Sequence, residues 1–286
     1  MSDKSYSLGI LFEDEACNGL THDFFAAVLN GFKKEAEKHG YEITFINTHK
    51  DAPGRKSYLQ RVQERKIEGV GIICTNFSDP EVLELIGSDV PVVTIDEPLE
   101  GVISVLSDNA QGIKNLVYHI AGMGHTKIAY IHGNMNSVTQ VRIKNFKESC
   151  EKLGITVPDE YLRQSYFRDI NKTAYETEAL LRLPDPPTCI IFPDDYAAIG
   201  GINILKAYGM VIPDDISVAA YDGIDIPSRY DPQITTVKQD MDGMGRVAAE
   251  KLIKLIETPE EITDFSDVLI ETKLVEGRTI KQMLWK

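Results

Sequence analysis

Residues 120–133 read IAGMGHTKIAYIHG, and the rest of the chain is parsed outward from this run. Ile120 and Ala121 close an amphipathic pattern. Gly122 and Gly124 supply left-handed conformations that end helices. Lys127-Ile128-Ala129-Tyr130-Ile131 is a β-type run. The segment therefore predicts a helix end, a tight Gly-His turn and a buried strand.

Strand and helix patterns alternate in both directions from this point. Upstream, Leu8–Phe12 is a short apolar run. Phe25, Val28, Leu29, Phe32 and Ala36 follow at the spacing of one helix face, which ends at His39-Gly40. Strand-like runs lie at Ile43–Ile46, Val70–Cys74, Val90–Ile95 and Val102–Val105, with helical patterns between the first three pairs. After Asp108 the series restarts with a helix to Ala121. Strands are expected at Ile128–Ile131, Cys189–Phe192 and Ser217–Tyr221, with helices over 137–153, 171–182 and 195–208. Thr235-Thr236-Val237, a long helix to Glu257 and a strand over Leu269–Leu274 complete the pattern. Such alternation specifies an α/β fold built on parallel sheets.

With 286 residues, 43% hydrophobic and 26% charged, the chain has the composition of a globular protein with material for two α/β lobes. No apolar run approaches the roughly 20 residues that cross a bilayer, so no membrane role is expected. The start, MSDKSYSLGILF, lacks the features of a secretory signal. Thirty Lys and Arg against 44 Asp and Glu give a net charge of −14. A chain this acidic is repelled by phosphate backbones unless it carries a basic patch, and none stands out. Cys17, Cys74, Cys150 and Cys189 are widely spaced without a Cys-x-x-Cys pair, and read as buried free thiols. No metal site and no cofactor are expected.

In open α/β sheets, ligands bind at the carboxyl ends of the strands. The first polar residues after the apolar runs are Asp96, the pair Asp194-Asp195, Asp222 and Gln239. Each aspartate has two readings, as a helix cap or turn former and as a ligand contact. Asp195, directly before YAAIGGINIL, reads as the plain N-cap.

Several blocks resemble one family, the effector-binding domains of LacI/GalR-type transcriptional regulators, over nearly the whole chain. IAGMGHTKIAYIHG looks like the family's Met-Gly-His entrance to its second lobe. HDFFAAVLNGFKKEAEKHGY resembles the strand-loop-helix whose paired aromatics reach the ligand, which implies contacts from Phe24 and Phe25, with His22 just ahead of them. One phenylalanine of such a pair can equally be core. VPVVTIDEP is similar to the strand that ends in a ligand-binding Asp96. Glu97 stands where many sugar binders have arginine. SVTQVRIKNFKESCEKLGI resembles the Arg-x-x-Gly-Phe helix, making Arg142 the ligand arginine and placing Asn145 at the usual glycine. CIIFPDDYAAIGGINIL and PDDISVAAYDGID resemble the blocks that carry Asp194, where the family often has Asn, and the sugar-binding Asp222. PQITTVKQDMDGMG resembles the crossing back to the first lobe, with Gln239 as its contact.

The resemblance implies two Rossmann-like lobes of the type I periplasmic-binding-protein-like kind, joined by several crossings. The first lobe is expected to span 5–107 plus 239–266, and the second 108–238 plus 267–286. It also implies a cytoplasmic homodimer whose interlobe cleft takes a small neutral sugar or polyol. Operator DNA would be bound only through a helix-turn-helix headpiece that this chain does not contain, since Leu8 already lies in the first core strand. Asp96, Asp194 and Asp222 against Arg142 give the expected site a formal charge of about −2, which suits a hydroxyl-rich neutral ligand first and an amine second, and repels phosphates. Two rivals remain: an extracytoplasmic sugar-binding receptor of a transporter, and a glycosidase using paired carboxylates. The Met-Gly-His and Pro-Asp-Asp-Ile-Ser-Val motifs favour the regulator over the receptor. No nucleophile elbow, phosphate loop or nicotinamide fingerprint supports an enzyme.

Overall fold

The computed structural model describes residues 5–13, 19–47 and 54–283. Cys17 lies outside the described residues. In chain order the first elements are β1 (Ser7–Phe12), α1 (Asp23–Lys38), β2 (Glu42–Phe45), α2 (Tyr58–Glu64), β3 (Gly69–Cys74), α3 (Pro80–Ile86), β4 (Val92–Ile95) and β5 (Ile103–Ser107). Next come α4 (Asn109–Gly122), β6 (Ile128–His132), α5 (Ser137–Lys152), β7 (Leu162–Gln164), α6 (Ile170–Leu181), β8 (Cys189–Ile191), α7 (Asp195–Ala207) and β9 (Ser217–Asp222). The last are α8 (Asp225–Arg229), β10 (Thr235–Gln239), α9 (Met241–Glu257), β11 (Val268–Ile270) and β12 (Thr272–Val275).

These elements form two units. Unit 1 takes the chain up to Ser107 together with Asp240–Ile270, and unit 2 takes Asp108–Gln239 with the residues from Glu271 on. The sheet of unit 1 has the order β11-β5-β4-β3-β1-β2, with every pairing parallel. The sheet of unit 2 runs β12-β10-β9-β8-β6-β7 and is parallel except where β12 pairs antiparallel with β10. Helices on both faces bury the central strands on both sides, which is why those strands read as unbroken apolar runs. β9 illustrates this: Ser217 through Tyr221 are all buried.

The expected single strand over Leu269–Leu274 is two strands in different sheets. Val268–Ile270 pairs with β5 of unit 1, and Thr272–Val275 pairs with β10 of unit 2. The run of β-forming residues is continuous, so its pattern carries no mark of where the chain changes sheet. Residues 267–270 accordingly belong to unit 1 rather than to the second lobe, and Gln239 ends a strand of unit 2. β7, a three-residue edge strand, has too little apolar character to register as a strand in the sequence.

In α1 the core face is Phe24, Val28, Leu29, Phe32 and Ala36. Phe24 is thus the packed member of the Phe24-Phe25 pair. The helix lies directly against α9. A Cβ on Gly31 would stand 2.0 Å from the carbonyl oxygen of Asp242, and one on Gly245 would stand 1.9 Å from that of Val28. The two backbones touch because both contact positions lack side chains.

The Gly-His turn has a structural task. Gly124 adopts φ +92°. His125 is buried with Nε2 3.0 Å from the carbonyl of Lys281 and Nδ1 2.9 Å from the hydroxyl of Thr188. A carbonyl only accepts, so Nε2 carries the proton; Nδ1 faces the Thr188 hydroxyl, which also bonds the carbonyl of Lys127 at 3.2 Å. Burial favours the neutral ring by lowering the pKa of His125. The turn ties the segment after β12 to unit 2, and Met283 N–H adds a bond to the carbonyl of Met123 at 2.7 Å.

The glycine contacts carry a test. Gly31→Ala and Gly245→Ala each force α1 and α9 apart and are expected to destabilise by about 1–3 kcal/mol. Gly122→Ala, at a helical position with nothing within 4 Å, is expected to be neutral or to stabilise slightly. Thermal unfolding of the three variants checks the ordering.

Candidate functional site

In each unit, the polar residues singled out after the apolar runs lie at the carboxyl ends of parallel strands. In unit 1, Asp96 directly follows β4 with φ +60°, and its N–H bonds the carbonyl of Val105 at 3.1 Å. Thr94 fixes the same turn by donating to the carbonyl of Glu97 at 2.7 Å. Near the end of β1, Phe25 is half-buried. Its ring stands 5.3 Å from that of Phe12 and 4.8 Å from that of His22, the residue that caps α1. Phe24 is turned into the core. His22, Phe25 and Asp96 therefore remain at the strand ends of unit 1 as candidates to meet a ligand.

Unit 2 holds a tighter cluster, centred on Arg142 from α5. The residue is only 2% exposed, and Nε donates to Oδ1 of Asn109 at 2.8 Å. Nη1 donates to the carbonyl of Pro193 at 3.3 Å, and the guanidinium lies 3.6 Å over the ring of Tyr221. Nη2 is 3.9 Å from Oδ1 of Asp222, and that oxygen accepts from Nε2 of Gln239 at 2.7 Å. Arg142, Asp222 and Gln239 are thus brought together as the sequence anticipated. Asn109, Tyr221 and Phe167 complete the cluster and were not anticipated. Phe167 packs on Gly133, where a Cβ would come within 2.6 Å of the ring, and the Arg142 guanidinium stands 5.9 Å from its centre. Phe167 sits in a loop without periodicity, so no pattern marks it. The one signal for Asn109 was its place just after the helix cap Asp108.

Asp222 is held in an unusual backbone conformation, φ +99°, and Gly223 follows at φ +68°. A side chain on Gly223 would collide with Lys238, its nearest approach being 2.4 Å to Cα. Asp195 braces this turn. Its Oδ2 accepts from the N–H of Ile224 at 2.9 Å, and its Oδ1 accepts from the hydroxyl of Thr236 at 2.6 Å.

Two expectations about the aspartate pair change here. The N-cap of α7 is Asp194, not Asp195: its Oδ1 accepts from the N–H of Ala197 at 2.7 Å. The pattern could not separate the two because either adjacent residue offers the same carboxylate to the helix start. Oδ2 of Asp194 accepts from the N–H of Arg168, also at 2.7 Å, so both of its oxygens serve the fold. The expected charge of about −2 changes as well. Burial, reinforced by the Asp222 charge, pushes the Asp194 carboxyl up to about 7 against the opposing pull of backbone N–H groups. Burial raises Asp195 well above the usual carboxylate range too. With the Asp194 carboxyl shifted towards the neutral form and Asp96 standing in unit 1, the formal charge within the unit 2 cluster rests on Arg142 and Asp222, which nearly cancel.

Among the described residues no group of three or more His, Cys, Asp or Glu could hold a metal ion, and no helix is long and apolar enough to cross a membrane. The described cysteines Cys74, Cys150 and Cys189 are free thiols, with Cys74 half-buried and the other two buried.

Comparison with known proteins places this geometry. A family model described as a periplasmic binding protein-like domain matches residues 117–280. The HTH-type transcriptional repressor PurR of Photobacterium profundum is 29% identical over 241 residues, covering 82% of this chain and 72% of the relative. A regulatory protein of the LacI family from Chloroflexus aggregans superposes with a TM-score of 0.85 at 20% identity, covering 97% of this chain and 99% of that one. A LacI family transcriptional regulator from Enterococcus faecium, solved with bound ribose, superposes at 0.81 with 22% identity, covering 97% of this chain and all of that one. The two structural likenesses bear on the fold.

The Asp194 proton is measurable. The folded state holds it up to about pH 7, whereas an unfolded aspartate releases it near 4. Between those values folding takes up a proton, so stability falls as pH rises and levels off above about 7. Asp194→Asn removes that titration and is expected to flatten the decline, by up to about 1 kcal/mol per pH unit, in denaturant unfolding from pH 4.5 to 8. An unchanged slope would place the proton elsewhere.

Proposed function

We propose a ligand for this chain, which belongs to the periplasmic-binding-protein-like family and is the effector-binding domain of a LacI/GalR-type transcriptional regulator. The ligand is a small neutral sugar or polyol. The observation that carries this reading is the Arg142–Asp222–Gln239 cluster at the carboxyl ends of unit 2. Its charges nearly cancel, so a neutral molecule leaves the balance intact. Oε1 of Gln239 is buried and has no hydrogen-bond partner among the described residues, and the Asp222 carboxylate only accepts. Both accept hydrogen bonds, while Arg142 donates them. A hydroxyl complements both. Phe167 supplies an aromatic face for the apolar C–H side of a sugar ring.

In this role the ligand is bound and released unaltered. It binds one conformational state better than another and shifts their population by that difference. A cytoplasmic dimer then carries the shift to operator DNA through helix-turn-helix headpieces. The ribose in the Enterococcus faecium structure supports the ligand class by analogy.

A thermal-shift screen over pentoses, hexoses, disaccharides, polyols and planar nitrogen heterocycles tests the proposal. A true ligand at 100 times its Kd stabilises by about 2.7 kcal/mol, a shift of several degrees. The expected outcome is a shift with one sugar or polyol, recovered chemically unchanged. That shift is lost in Arg142→Gln and weaker for the phosphorylated counterpart. Stabilisation by a heterocycle and by no sugar would overturn the ligand class, and turnover of the sugar would overturn the non-catalytic reading.

A further inference from the structure

We propose that Asn109 is the positioning residue of Arg142: by accepting the Nε–H it sets the direction in which the guanidinium presents its other donors to the effector. The proposal rests on the reading of Arg142 as an effector contact and deepens it.

Among the contacts of the guanidinium to described residues, those with Tyr221, Pro193 and Asn109 do different work. The ring of Tyr221, 3.6 Å below, fixes the plane of the group. A flat cation stacked on a ring can still turn about the axis normal to both. The Pro193 carbonyl, at 3.3 Å from Nη1, restrains that turn weakly. The Nε–Oδ1 bond to Asn109, at 2.8 Å, is short and sits beside the pivot of the side chain. It therefore sets the angle in the plane, and with it the aim of Nη2 towards Asp222.

The chemistry of residue 109 suits that task. Asn109 is the first residue of α4 and is 6% exposed, while the preceding Asp108 accepts the N–H of Gln111 as the helix cap. The Asn109 side chain is thereby available for Arg142. An amide oxygen is a neutral acceptor, so it orients the arginine without cancelling its charge. A carboxylate at the same place would pair with the guanidinium at close range, whereas Asp222 stands 3.9 Å away.

The experiment compares Asn109→Ala, Asn109→Asp and Arg142→Lys with the parent chain. The 15N–1H signal of the Arg142 Nε–H is assigned by its loss in Arg142→Lys and followed for exchange with water. The sugar and polyol panel is then repeated on every variant. In Asn109→Ala the Nε–H is expected to lose its protection, and the sugar-induced stabilisation to fall to the equivalent of roughly tenfold weaker affinity. Asn109→Asp keeps the acceptor, so it retains the protected signal, while its carboxylate pairs with the guanidinium and is expected to lower the sugar response.

An Nε–H as protected in Asn109→Ala as in the parent overturns the proposal. So does a full sugar response in Asn109→Ala once the protection is gone, since a purely structural role would lower the unliganded midpoint and leave the response intact. If no panel member shifts the parent chain, the sugar reading fails separately, and the Nε–H protection still decides whether Asn109 holds the arginine.

Discussion

A guanidinium keeps its proton under any condition a folded protein survives, so a buried arginine forces the structure around it to supply acceptors. Arg142 imposes that requirement on unit 2. Its partners come from separate elements: Asn109 from α4, the Pro193 carbonyl just after β8, and Tyr221 and Asp222 from β9. Each of those elements must therefore end where it does. Asp222 reaches the cluster only from a left-handed backbone, which in turn needs Gly223 behind it and the Asp195 carboxyl holding Ile224 in place. The cost of desolvating one charge, several kcal/mol in real proteins, is thus offset by an arrangement that also builds a polar site.

The two units use the same device. β4 and β9 hold corresponding places in the two sheet orders, third from the β11 and β12 edges respectively. Each leads into a non-glycine aspartate at positive φ, Asp96 in one and Asp222 in the other. Aspartate tolerates this region better than most residues, yet such conformations persist only where the surroundings enforce them. In unit 1 the Asp96 N–H bond to Val105 and the Thr94 bond to the Glu97 carbonyl do so. In unit 2 the enforcing group is Asp195.

The parallel strands were legible in the sequence because burial on both faces leaves an unbroken apolar run bounded by polar residues. The helices other than the five-residue α8, which the sequence pattern passed over, were legible for the complementary reason, a single apolar stripe each. Three features were not. β7 is a short, partly exposed edge strand, and the passage through Glu271 from one sheet to the other leaves no trace in local composition. The roles of Asp194 and Asp195 were inverted, since cap and brace demand the same chemistry and differ only in direction. Among site residues, the strand-end Asp222 and Gln239 and the motif arginine could be found by position. Phe167 and Asn109 could not, because their contribution lies in contacts between elements distant in sequence.

The way the chain is shared between the units also sets when each can be completed during synthesis. Unit 1 contains the N-terminal strands, but α9 and β11 are encoded by residues 241–270. The apolar face of α1 that meets α9 stays uncovered until those residues have emerged. Each unit draws five of its six strands from one unbroken stretch, up to 107 in unit 1 and from 108 to 239 in unit 2. The first half thus holds five strands and an unpacked face of α1 while the second is being made, and the second in turn lacks β12 until residues 272–275 emerge.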